Sequence, residues 1–181
     1  GLVNKSGSPS AVSGQQNPPI PPAFFALTDE NSQPVTQASY HNTFKLIYFG
    51  FTYCPDVCPN QLSVIAEALD LLEPNTLPTV TPLLITLDPE RDTPETIKTY
   101  TDFFHPNLIG LTGTPEQIQQ VANRFKVYFA KVADEQSAAD YTIDHSSIVF
   151  LMGPDNHFLK AFTYRDTPQG IAETIRQAVN S

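Results

Sequence analysis

The chain has two cysteines, Cys54 and Cys58, four positions apart in the run Tyr48-Phe-Gly-Phe-Thr-Tyr-Cys-Pro-Asp-Val-Cys-Pro-Asn60. Cysteines at this spacing across one turn can bring two sulfurs together, either in a disulfide or on a shared metal ion. They lie between the end of an apolar run and the start of a helical pattern. At a helix N-terminus the unpaired N–H groups favour a thiolate over a thiol. Two thiolates seldom make a whole metal site, so a histidine partner is sought among His41, His105, His145 and His157. His145, in Tyr141-Thr-Ile-Asp-His-Ser-Ser147, stands at the start of an expected strand. If that strand opens an antiparallel hairpin, its beginning lies beside the carboxyl ends of the parallel strands, the usual ligand edge of an α/β sheet. His157 follows the hairpin turn at the opposite edge, His41 precedes the first long strand, and His105 sits in a helix-stop context, His-Pro-Asn.

Two soft sulfurs and one imidazole suit Cu(I), and with an added oxygen ligand they can hold Cu(II). A structural zinc site wants four protein ligands and no third cysteine exists, but zinc with an open position stays open. So does a plain structural disulfide. Asp88, in Leu87-Asp-Pro-Glu-Arg-Asp92, ends an expected parallel strand at the same edge. Hydrogen bonding in a turn is its ordinary role, and metal contact the rarer one. Asp144 could orient the His145 ring through its other nitrogen, although neighbours in a strand point to opposite faces. Met152 reads as core, Tyr53 and Asp56 as turn or surface, and Arg91 as part of a salt-linked turn.

The elements that must position these groups are legible. Residues 1–22 carry one charge, Lys5, and five prolines among Ser, Gly, Gln and Asn, which predicts a flexible tether ahead of a domain over 23–181. The chain begins at Gly1 without a basic or apolar leader, so any targeting segment is expected either to have been removed or never to have existed. Phe24–Leu27 is a short apolar run, and Phe44–Phe51 and Thr81–Leu87 read as strands buried on both faces. Leu62, Ile65, Ala66, Leu69 and Leu72 trace one helical stripe over 59–73. Helices are predicted over 93–104, 114–125 and 168–179, a short strand over 108–111, and further strands over 127–132, 145–152 and 158–162. Thr93-Pro94, Thr114-Pro115 and Thr167-Pro168 pair an N-cap with a proline at the first helical position, and Thr114 with Gln117 fits a capping box. This order of parallel strands, then a closing hairpin and helix, predicts an α/β thioredoxin-like sandwich, a mixed central sheet flanked by helices with an N-terminal extension. The formal charge of −9 argues against nucleic acid and anionic membrane surfaces as partners. No run approaches the ~20 apolar residues that span a bilayer.

The cysteine run resembles the signature of the Sco/SenC family of copper-binding proteins. Three further runs agree with it: Asp88-Pro-Glu-Arg-Asp-Thr-Pro94, His105-Pro-Asn-Leu-Ile-Gly-Leu-Thr-Gly-Thr114 and Asp144-His-Ser-Ser147. Together they cover about 23–180 in consistent order. The resemblance implies a thioredoxin-like fold tethered to a membrane by one N-terminal helix. It implies copper, Cu(I) or Cu(II), held by Cys54, Cys58 and His145. It also implies delivery to the dinuclear copper centre of cytochrome c oxidase subunit II, or reduction of that subunit's cysteines as a thiol–disulfide oxidoreductase through Cys54 and Cys58. A monomer is expected, in a bacterial periplasm and anchored to the inner membrane, with the mitochondrial intermembrane space as the alternative. The C-x-x-x-C spacing and Asp144-His145, where thioredoxins carry a cis-proline, count against a general oxidoreductase. No Arg or Trp other than Arg91 is placed for a peroxidase. The chain departs from the family at turns: Asp29–Gln33, Tyr40–Thr43 and Pro154-Asp-Asn156 carry no glycine. Asn at these turns tolerates the left-handed backbone.

Overall fold

The computed structural model describes residues 24–133, 141–145 and 147–181. The expected tether over 1–22 lies outside the described residues. A short hairpin of β1 (Ala26–Thr28) and β2 (Pro34–Thr36) leads through a one-turn helix into β3 (Phe44–Gly50). Then follow α1 (Val57–Asp70), β4 (Val80–Thr86), α2 (Pro94–Phe104), β5 (Ile109–Leu111) and α3 (Pro115–Arg124). A second hairpin, β6 (Phe129–Ala133) and β7 (Tyr141–His145), precedes β8 (Val149–Met152), β9 (Phe158–Phe162) and α4 (Pro168–Val179).

The main sheet has the order β5-β4-β3-β8-β9. The β3–β4 and β4–β5 pairs are parallel, whereas β8 runs antiparallel to both β3 and β9. Two successive crossovers in one direction, right-handed as such connections are, place α1 and α2 on one face, where α4 also packs against α1. The other face is covered by α3 and β1. There Phe49 of β3 meets Phe125 and Phe150 with ring centroids 5.4 and 6.2 Å apart. This is a thioredoxin-like α/β sandwich with a mixed sheet, as the order of elements led one to expect.

β4 is buried throughout and β3 after its first residue, as strands covered on both sides must be. The three Thr-Pro starts all cap their helices. Thr93 accepts from the Thr96 N–H, Thr114 from Gln117 and Thr167 from Gly170, and Thr114 and Gln117 complete the capping box. The glycine-free turns use positive φ instead, at Ser32 (62°), Asn42 (64°) and Asn156 (69°).

Three details differ from expectation. The first helix runs over 57–70 rather than 59–73, so Cys58 lies inside its first turn. Pro74 disfavours helical backbone at Glu73, which ends the helix early. The strand expected over 145–152 is divided: His145 closes β7, and β8 begins only at Val149. β6 and β7 pair with each other outside the main sheet. β6 is exposed along most of its length and could not sit inside a sheet covered on both faces.

Candidate metal centre

Cys54 and Cys58 sit where β3 ends and α1 begins, at the carboxyl edge of the parallel strands. Cys58 is fully buried and Cys54 is 7 % exposed. No disulfide joins them. The Cys58 N–H donates to the Cys54 sulfur at 3.3 Å, which turns the helix's first amides toward that thiol. The Cys54 thiol is pulled well below its usual range. The hydrogen bond from the Cys58 side chain does most of this, His145 and the backbone amides of Cys58 and Asp56 add to it, and burial opposes it. Cys58 moves the other way, because it gives its hydrogen bond to Cys54 and lies in a dry environment. The hydrogen bond between the two sulfurs thus favours the thiolate at Cys54 and keeps the proton at Cys58.

The loop is held from below. Asp92 is fully buried and accepts from the Thr52 N–H at 3.0 Å, from the Thr52 hydroxyl, and from the Thr86 hydroxyl at 2.7 Å. Burial raises its pKa and these donors oppose the rise. Gly50 makes room for the sulfur: a Cβ there would lie 3.0 Å from Cys58 Sγ.

His145 reaches the pair from the end of β7. Its Nε2 lies 3.6 Å from Cys58 Sγ. The ring stands edge-on to Phe51 and Tyr48, with centroids 5.7 and 6.4 Å away. One donor atom from each of Cys54, Cys58 and His145 lies within 4.8 Å of the others. Metal–sulfur and metal–imidazole bonds of about 2.3 and 2.0 Å set donors around one ion roughly 3.5–4.5 Å apart. The trio therefore needs little movement to close on an ion. Two thiolates with one imidazole are a donor set that copper accepts.

The other candidates lie apart from this trio. Asp88 is buried, but its carboxylate is taken by the Arg91 guanidinium and by the Tyr141 hydroxyl at 2.6 Å. His105 is buried at the end of α2, against Asp70 at 3.0 Å. His157 is an exposed partner of Asp155, and His41 is exposed beside β3. Met152 is core. Asp56 precedes α1 without a capping hydrogen bond from its side chain. The side chain of Asp144 lies outside the described residues. Arg91 does more than brace a turn, since its guanidinium lies over the rings of both Tyr53 and Tyr141. Neither the double stacking nor Tyr141's part in it was visible in the sequence. The tyrosine's position two and four residues ahead of Ile143 and His145 was the available signal, since all three share one strand face.

A thioredoxin-like sandwich with two thiols and an imidazole gathered at its carboxyl edge is a metal- or redox-active domain in class. The SCO1/SenC family profile matches residues 14–180, and the chain belongs to that family. It is 43 % identical over 152 residues to the human mitochondrial SCO1 homologue, covering 83 % of this chain and 50 % of that protein. To SCO1 homologue 1 of Arabidopsis thaliana, also mitochondrial, it is 40 % identical over 157 residues, covering 84 % of this chain and 46 % of that one. The chain thus spans about half the length of these relatives. The SCO2-like protein of Rickettsia conorii is 38 % identical over 152 residues, covering 84 % of this chain and 74 % of its own. Among solved structures, copper-bound ScoI of Bradyrhizobium japonicum superposes with a TM-score of 0.79 at 39 % identity, covering 87 % of this chain and 98 % of that one. Copper-bound ScoI of Arabidopsis gives 0.81 at 36 %, covering 88 % and 98 %.

Proposed function

We propose that this protein binds copper through Cys54, Cys58 and His145 and delivers it during assembly of cytochrome c oxidase, to the dinuclear copper centre of subunit II. The observation that carries the reading is the convergence of two sulfurs and one imidazole nitrogen within 4.8 Å at the carboxyl edge of the parallel strands. Relatives solved with copper bound support the choice of metal. Copper is cargo here, so the site must both bind and release it. His145 comes from a hairpin outside the main sheet, and a ligand on such an element suits release better than three ligands fixed in the core. Reduced thiols are required, because a disulfide offers no thiolate to the metal. We place the protein in a bacterial periplasm, held to the inner membrane by a segment upstream of this chain. Among the described residues no helix is long and apolar enough to cross a membrane.

The depressed Cys54 thiol favours a second reading, reduction of the partner's cysteines. Cys54 thiolate would attack the partner disulfide and release one partner thiol. Cys58 would then displace the second, leaving Cys54 and Cys58 oxidised until a dithiol reductant restores them. Mixing the Cu(I)-loaded protein with the reduced, metal-free copper domain of subunit II separates the two. Delivery predicts that copper moves to the acceptor with no net loss of thiols. If no copper moves to the reduced acceptor, and the reduced, copper-free protein mixed separately with the disulfide form of that acceptor reduces it at the expense of Cys54 and Cys58, the reductase reading replaces delivery.

A further inference from the structure

We propose that Arg91 is a positioning residue of this centre, joining the loop that carries the cysteines to the hairpin that carries His145. The proposal rests on the metal-centre reading of Cys54, Cys58 and His145. Arg91 follows β4 by five residues and sits in the turn that begins at Asp88. Its guanidinium lies 4.3 Å from the centroid of Tyr53, the residue immediately before Cys54, and 3.7 Å from that of Tyr141, the first residue of β7. It is held between two rings that belong to the two segments supplying the donors. Its Nη1 also donates to the Tyr141 carbonyl at 2.9 Å, and its Nε is paired with buried Asp88, which takes the Tyr141 hydroxyl on its other oxygen. Tyr141 is therefore fixed by backbone, ring and hydroxyl at once.

Strand parity makes that anchor matter to the metal. Side chains alternate along a strand, so Tyr141, Ile143 and His145 share one face, and a slip of one residue would turn the imidazole away from the sulfurs. β7 has no partner in the main sheet that could fix its register there. Its Tyr141 end is tied to Arg91 and Asp88, and Lys131 of β6 lies over the Tyr141 ring at 4.8 Å and is bound to Glu90 at 2.8 Å. The sulfurs need none of this, because Gly50, Asp92 and the first turn of α1 set them independently. Lysine could not serve in place of Arg91: a point charge neither stacks flat between two rings nor presents Nε and Nη1 to two acceptors at once. Its Nη2 is buried without an acceptor, as expected of a group kept for its shape rather than for complete hydrogen bonding.

The test uses the Asp88→Asn/Arg91→Met double variant, which leaves no lone charge buried at the turn, alongside Arg91→Lys. In the reduced, metal-free protein, hydrogen exchange at the amides of β6 and β7 should quicken about tenfold or more in both variants, while β3 and β4 stay unchanged. With Cu(II) bound, the nitrogen hyperfine pattern of the imidazole should be lost or weakened, and affinity should fall by about 10–100-fold. Cu(I) affinity should stay within about threefold of wild type, since two thiolates alone hold that ion. Unchanged hairpin exchange and an unchanged Cu(II) spectrum in the double variant would overturn the proposal. So would rescue by lysine, or a fall in Cu(I) affinity as large as that for Cu(II). If the wild type shows no nitrogen coupling, the metal-centre reading fails instead, and the exchange measurement still decides whether Arg91 holds the hairpin.

Discussion

Alanine at position 50 would press on the centre without removing a donor. A Cβ on Gly50 would lie 2.9 Å from Tyr48 Cε1, 3.0 Å from Cys58 Sγ and 3.4 Å from Leu84 Cδ1. Ordinary contacts of this kind are about 3.5–4.0 Å, so the tyrosine ring and the sulfur must each give way by roughly 0.5–1 Å. Neither has free space to move into, since Tyr48 and Cys58 are both fully buried. Overpacking of this kind costs about 1–3 kcal/mol, offset by roughly 0.4–1 kcal/mol from the stiffer unfolded chain. A net loss of about 0.5–2 kcal/mol lowers Tm by roughly 2–6 °C in a chain of this size. Moving one sulfur by this distance should also weaken copper binding by about tenfold or more, because such sites tolerate displacements of only ~0.5 Å. Gly110→Ala is the control. Its Cβ would lie 2.7 Å from Ile97 Cγ1, a comparable clash at a distance from the sulfurs. Thermal unfolding and copper competition on both variants should show a stability loss in each and an affinity loss only in Gly50→Ala. Wild-type Tm and copper affinity in Gly50→Ala, or equal affinity losses in the two, would refute the reasoning.

Removing the imidazole should discriminate between oxidation states: His145→Ala is expected to weaken Cu(II) by about 100-fold or more and Cu(I) by less than about tenfold in competition titrations. Lys45→Met should stabilise the protein by about 1–3 kcal/mol at neutral pH, because the ammonium is fully buried and its Nζ has no hydrogen-bond partner. Burial lowers the Lys45 pKa, so between its folded value and the unfolded ~10.4 the unfolded chain binds more protons. Wild-type stability should therefore climb through that alkaline window while the variant's contribution there stays flat, as denaturant melts across pH will show. Alkylation of the reduced protein should modify Cys54 with a pH midpoint well below the ~8.5 of a free thiol and spare Cys58, as peptide mapping can verify. Equal modification of both cysteines with an ordinary midpoint would contradict the placement of the thiolate at Cys54.

Much of the site could be read from residue types alone, because its determinants are local. Cys54 and Cys58 flank a strand-to-helix turn, and three Thr-Pro pairs announce their helices without help from the rest of the fold. β3 and β4 declare burial on both faces through largely apolar runs. What stayed hidden depends on contacts distant in sequence. Lys45 stands inside the apolar run of β3, and only the packed sheet shows that its ammonium is sealed in. β2 is three residues long and has no periodicity to detect. The excursion of β6 and β7 was hidden for a related reason: its residues carry strand propensity, which says nothing about which sheet a strand joins. His145 was therefore assigned to the wrong strand, since it closes β7 instead of opening the strand that follows. Arg91 and Tyr141 are 50 positions apart and meet only because the turn after β4 and the start of β7 share one edge.

Anaerobic titration of the reduced protein with Cu(I) against a chromophoric competitor, run beside the Cys54→Ser/Cys58→Ser variant, tests the account most directly. The wild type should take up one equivalent tightly and the variant none. Stoichiometric copper retained by the variant would place the metal elsewhere and remove the two sulfurs from the centre.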